Sequence, residues 1–197
     1  MQGNEKFVMD LNVDKEVLGI INKRIKYIWE EKIKEDYKNG WLLKEDTLKN
    51  ALYYHIRMEL SSLFQEHNIR IFTEFTDAEF KESNLRPDIV IATANFEDGV
   101  NGYYGDDIKE CLAVIEIKYK SNFSSHKKIL DDYDKLQVYA DKLNFKGKLY
   151  MATIWECEDE ATTWIRKNAA WAKNKVVELN ASYKKSANEP QFYVYEH

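Results

Sequence analysis

The most apolar segment of the chain, Leu112-Ala113-Val114-Ile115-Glu116-Ile117-Lys118-Tyr119, stays greasy almost to its end and then turns charged. Its length and its β-branched content predict a central strand in a sheet flanked by helices. Strand side chains alternate between faces, so Glu116 and Lys118 project from the same face as Leu112 and Val114. Such a strand places an acid and an amine at the lip of a sheet, where a ligand can reach them.

The segments around it set the class. Apolar residues recur at helical spacing from about Asn12 to Tyr37 (Val13, Val17, Ile20, Ile21, Ile25, Ile28, Trp29, Ile33), with Asn12 or Asp14 as cap and Asn39-Gly40 as stop. A second helix is expected over 44–67, on the stripe Leu48, Leu52, Ile56, Leu60 and Leu63. Glu59 falls within the arc of that stripe, Glu45 lies on the same side, and His55 sits at its edge. Glu59 is therefore either a rim residue paired with an Arg or Lys, or a functional acid. Strands are expected at 69–75 and 86–92, a surface loop at 95–110, a helix at 127–143 and a strand at 148–155. A Trp- and Ala-rich helix at 161–183 and a last strand at 192–195 complete the expected order. No repeat or linker interrupts it, so 1–197 reads as a single mixed α/β domain.

Composition closes off other classes. With 197 residues, 44% hydrophobic and 32% charged, 7 Gly and 2 Pro, the chain is neither collagen-like nor disordered and can bury a core. No apolar run reaches the length of a bilayer span, and the first six residues carry no signal pattern, so a cytoplasmic protein without a membrane partner is expected. Cys111 and Cys157, 46 residues apart, read as buried thiols. The net charge of −5 excludes a bulk positive field for nucleic acid. The charge is uneven, however: residues 51–100 hold four basic and nine acidic side chains, residues 101–150 nine and eight. Lys118, Lys120, Lys127 and Lys128 form either a local nucleic-acid patch or part of a solvated mixed-charge surface.

Other motif classes are missing. There is no phosphate-cradling glycine loop, no nucleophile elbow and no zincin helix, and His55, His67, His126 and His197 do not fall at metal-ligand spacing. Glu156, Glu158, Asp159 and Glu160 suit the negatively charged start of a helix. Trp164 and Trp171 suit a shared core or dimer face.

Asp88 opens the strand whose body is Ile89-Val90-Ile91. If that strand neighbours 112–119, Asp88 and Glu116 converge on one cation with Lys118 beside them. Two carboxylates bind Mg²⁺ incompletely and leave positions for water and a phosphate oxygen. The metal acidifies water and neutralises charge on the phosphoryl group, and an adjacent ammonium orients or stabilises. That is the chemistry of phosphodiester hydrolysis.

Pro87-Asp88 followed by Glu116-Ile117-Lys118, each on an expected strand, resembles the PD-(D/E)XK nuclease superfamily, the restriction-endonuclease-like proteins. The resemblance covers 44–155 and implies an αβββαβ core with a four-stranded mixed sheet. The segment 1–43 is then an N-terminal helical extension, and 156–197 a C-terminal helix and strand. It implies a Mg²⁺-dependent nuclease, with Mn²⁺ able to substitute, acting on nucleic acid and on DNA rather than RNA. It implies that Asp88 and Glu116 bind the metal with the Ile117 carbonyl, and that Lys118 is the catalytic lysine. A further acid would come from Glu59, Glu45 or Glu74, and Lys135 and Gln137 would face the site from the following helix. Lys120 is a supporting, substrate-binding candidate. The alternative is a catalytically silent binding or assembly module on the same fold. A homodimer through the N-terminal helix is compatible with either.

Overall fold

Apolar residues spaced three and four apart between Val17 and Ile33 bury one face of a helical run against a sheet. A computed structural model describes residues 15–76, 80, 85–95, 107–120, 127–141, 145–156, 163–165, 169–184 and 189–197. The caps Asn12 and Asp14, His126, Leu143, Cys157, the acids Glu158 to Glu160 and residues 96–106 of the expected loop lie outside them, as does the side chain of Lys128. The run comprises α1 (Lys15–Tyr27), a π-helical segment (Ile28–Ile33) and α2 (Lys34–Lys38). The wider π turn lets Ile28 and Trp29, neighbours in sequence, both face inward, where both are buried. The Trp29 ring packs 5.1 Å from Phe192.

The expected helix at 44–67 is two helices, α3 (Glu45–Glu59) and α4 (Ser61–Glu66), separated at Leu60. The Thr47 hydroxyl accepts the Leu43 N–H at 3.0 Å and donates to the Lys44 carbonyl at 2.7 Å, which starts α3 immediately before the stripe Leu48, Leu52 and Ile56. The strands follow: β1 (Ile69–Thr73), β2 (Ile89–Ala94), β3 (Ile108–Lys120), then α5 (Lys127–Asp141), β4 (Lys148–Trp155), β5 (Val176–Lys184) and β6 (Glu189–Glu196). They form one six-stranded mixed sheet in the order β1-β2-β3-β4-β5-β6. Pairing is antiparallel except for β3–β4 and β4–β5. α5 is the crossover between parallel β3 and β4. At its far end Gly147 leads into β4, where a Cβ would lie 2.3 Å from the Leu112 carbonyl oxygen. Only glycine lets the chain turn in so close to β3.

Two expectations are corrected here. The sheet has six strands, not four, and the described residues of 161–183 form no helix. Residues 170–175 are turns, Asn174 takes a left-handed φ of +60°, and 176–184 is strand β5. Val177, Leu179 and Ala181 alternate into the same apolar layer as α1 and α3, while Glu178, Asn180 and Ser182 occupy the opposite face and are also buried. Buried polar residues hide a period-two pattern. Among the described residues no helix is long and apolar enough to cross a membrane.

The sheet thus has two unlike faces. Ile89, Ile91, Ile115, Ile117, Tyr150 and Val177 pack beneath α1 and α3. Val90, Val114, Leu149 and Met151 pack beneath α5 with Ile129, Tyr133, Leu136 and Tyr139. The second face is the one that becomes polar towards the end of β3.

Candidate active site

β2 and β3 are antiparallel neighbours with Ile89 opposite Ile115. Asp88, the residue just before β2, stands close enough to Glu116 for its charge to act on that carboxyl. Asp88 Oδ2 accepts the Ile117 N–H at 2.8 Å, which ties the first carboxylate to the strand carrying the second. In a strand the carbonyl of a residue points the same way as its N–H, so the Ile117 carbonyl also faces β2. Pro87, just before β2, has no N–H to offer, and its carbonyl accepts the Phe75 N–H at 3.3 Å.

Glu116 is almost completely buried. Its Oε1 accepts the Tyr139 hydroxyl at 2.6 Å, and its Oε2 stands 3.6 Å from Lys135 Nζ. Burial pushes its carboxyl up to about 8; the Lys135 ammonium opposes the shift, the Asp88 carboxylate adds to it and the Tyr139 hydrogen bond opposes it. Lys118, two residues on along the same face, forms ion pairs with Asp132 Oδ2 at 2.9 Å and Glu45 Oε2 at 3.1 Å. Burial works against its ammonium, but Asp132 and Glu45 outweigh that and hold its pKa above the ordinary lysine value. Lys118 is in consequence a fixed cation at neutral pH rather than a base. Lys135 behaves alike: burial opposes its charge, while Glu116 and Asp132, the latter at 2.7 Å, raise its pKa.

On the opposite side Lys49 reaches from α3, one turn after Glu45. Its ammonium bonds Glu74 and lies 3.5 Å from Asp88 Oδ1. Arg86 Nε holds the other Glu74 oxygen at 2.7 Å. Glu74 itself sits at the end of β1 with φ +52°, its N–H bonded to the Asp88 carbonyl at 3.1 Å.

The structure thus brings together Asp88, Glu116, Lys118, Glu45, Glu74 and Lys135. Glu59 is elsewhere. It lies 14 residues beyond Glu45 in α3, about 21 Å along the helix axis, and pairs with Arg24 at 3.3 Å and Lys32 at 3.9 Å. The Gln137 amide donates to Asp141 at 3.3 Å, and the residue lines a 420 Å³ cavity with Trp164 and Trp171 rather than the carboxylate cluster. Lys120 is buried, with Nζ 4.2 Å from the Trp155 ring centroid. Four further residues belong to the cluster and are not singled out by the sequence: Lys49, Arg86, Asp132 and Tyr139. Asp132, Lys135 and Tyr139 are spaced i, i+3, i+7 and so share one stripe of α5, the signal that would have revealed them.

Five carboxylates (Glu45, Glu74, Asp88, Glu116, Asp132) here meet four cations (Lys49, Arg86, Lys118, Lys135). With Glu116 keeping its proton at neutral pH, the remaining four carboxylates balance the four cations. Among the described residues no three His, Cys, Asp or Glu side chains are gathered as a ready metal cage. The donor set nonetheless fits Mg²⁺, which binds through one or two carboxylates and completes its shell with water and phosphate oxygens. Asp88, Glu116 and the Ile117 carbonyl are hard oxygen donors of that kind.

The chain matches no protein-family model, and no curated protein matches it in sequence. Among solved structures it is similar to NucC of P. aeruginosa ATCC27853 in its cAAA-bound form, at 9% identity and a TM-score of 0.37, over 91% of this chain and 81% of that one. A likeness at that TM-score carries no argument, and the chemistry of the cluster stands on its own geometry.

Proposed function

We propose that the chain is a Mg²⁺-dependent nuclease that hydrolyses phosphodiester bonds, in DNA rather than RNA, with Mn²⁺ able to replace Mg²⁺. The observation that supports this reading is Asp88, bonded through Oδ2 to the Ile117 N–H and close to the buried Glu116 carboxyl, with Lys118 two residues further along β3. Asp88, Glu116 and the Ile117 carbonyl would hold the metal. When bound, Mg²⁺ supplies acidified water and neutralises the charge that grows on the phosphoryl oxygens. The chain's own residues do the rest. Asp132 and Glu45 clamp Lys118 so that its ammonium is already aimed at the lip of the sheet and needs no reorganisation to meet a scissile phosphate. Lys135 and Tyr139 orient Glu116. Burial beneath α5 keeps bulk water from weakening these interactions.

Purified protein should cleave DNA in Mg²⁺ or Mn²⁺ and not in EDTA. Glu116→Gln and Lys118→Met should each lower the rate by about 10²–10³-fold while leaving circular dichroism unchanged. Wild-type protein inert on single- and double-stranded DNA and RNA with either metal would overturn the enzymatic reading and favour a silent binding module.

A further inference from the structure

Two-metal phosphodiester sites hold their ions about 3.5–4 Å apart, and one carboxylate commonly faces both. In this cluster the carboxylate placed to be shared is Asp88, and the acid on its far side is Glu74. That half of the site is already filled. Lys49 bonds Glu74 and lies 3.5 Å from Asp88 Oδ1, so a single ammonium bridges the two carboxylates. The remaining Glu74 oxygen is taken by Arg86 at 2.7 Å. Nor is the arrangement loose. Lys49 rises from the second turn of α3, whose adjacent Leu48 is fully buried, and its side chain is only 14% exposed. Glu74 is held in a left-handed conformation that few non-glycine residues adopt, by the backbone bond to Asp88. No third carboxylate joins Asp88 and Glu116 as a metal-ligating group among the described residues.

We propose that Lys49 is a resident cation standing in the position a second divalent ion would take, so that each chain binds one ion, between Asp88 and Glu116, and not two. This rests on the nuclease reading and adds its metal stoichiometry. An ammonium supplies positive charge beside Asp88 on a tether, yet it cannot carry a nucleophilic water. Attack and charge neutralisation are then divided between one divalent ion and two lysines, Lys49 on one side and Lys118 on the other. Lys49 is a positioning residue for Asp88 and Glu74, and its removal should open the second place.

Equilibrium dialysis and electron paramagnetic resonance with Mn²⁺ alone test this without reference to turnover. Wild-type protein should bind one Mn²⁺ per chain and give the spectrum of an isolated ion. Lys49→Met should bind two and show the signature of a spin-coupled pair, while Lys49→Arg, which keeps the charge, should remain at one. Two ions in wild type would overturn the inference and leave the nuclease reading standing, as would one ion in Lys49→Met. No bound ion in wild type would overturn the metal-dependent reading itself. Should Lys49→Met fail to fold, Lys49→Gln and the wild-type stoichiometry decide the matter in the same way.

Discussion

Glu116 and Glu178 stand in one row of the sheet: Glu116 pairs with Met151 of β4, and Met151 with Glu178 of β5. Both project beneath α5 and both are shut away from water. Their partners could hardly differ more. Glu178 accepts the backbone N–H groups of Trp164 at 2.9 Å and Ile165 at 3.1 Å through Oε1, and the Thr163 hydroxyl through Oε2, which also meets His197 Nε2 at 3.1 Å. Among the described residues Glu116 has one hydrogen bond, from Tyr139, and a lysine at 3.6 Å. A buried carboxylate with four partners is an anchor, here for the segment 163–165 and the last residue of the chain. A buried carboxylate with one, facing a second carboxylate, calls for a cation from outside. Burial alone does not separate structure from function; the count of donors does.

The sharpest way to break the comparison is pH. The Glu116 carboxyl is raised from 4.5 to about 8 by burial and by Asp88, so the metal-free native state keeps a proton that the unfolded chain has already lost. The stability this confers is complete below the unfolded value and is lost as pH rises through the folded one. Urea unfolding in EDTA should show wild type losing stability between about pH 5 and pH 8, by up to about 4 kcal/mol. Glu116→Gln should flatten that slope. A wild-type slope that survives in Glu116→Gln would show that Glu116 is as well satisfied as Glu178.

Glu178→Gln comes next in size. The new amide would turn an NH₂ towards N–H donors or leave the Thr163 and His197 side without an acceptor. Breaking such a buried set costs about 3 kcal/mol, read as a lower urea midpoint at neutral pH. A loss below about 1 kcal/mol would reduce Glu178 to an ordinary buried acid and remove the contrast.

The two carboxylates were also unequally legible in the sequence. Glu116 and Lys118 end an apolar run, and the period of two placed them on one face without knowledge of any neighbour. Pro87-Asp88 was legible for a similar reason, because a proline opens a strand only at its start or edge. Glu178 was not, because Val176-Val177-Glu178-Leu179-Asn180-Ala181-Ser182 is buried on both faces and its polar half imitates the solvated side of a helix. Lys49 and Asp132 were missed for a different reason. Each lies on the flank of an amphipathic helix, and only the tertiary crossing of α3 and α5 over the end of β3 turns those flanks towards the same point. Glu59 shows the converse: its helical phase sets it beside the stripe, but helical phase says nothing about which end of the helix meets the site.

The smallest effect sharpens the comparison most finely. Tyr139→Phe deletes the hydrogen bond from Tyr139 to Glu116 and leaves ring packing against Phe80, now at 5.5 Å between centroids, in place. A neutral acceptor loses about 1 kcal/mol, and a charged one about 2 kcal/mol. The cost should therefore be near the lower figure at pH 6, where the native Glu116 carboxyl is protonated, and near the higher at pH 9, where it is ionised. The Tyr139 hydroxyl is itself pushed up, by burial first and then by the Glu116 charge, so it remains a donor across that range. Equal costs at the two pH values would mean that Glu116 does not change charge between them. The apparent hunger of this carboxylate for a cation would then have to be traced to Asp88 alone.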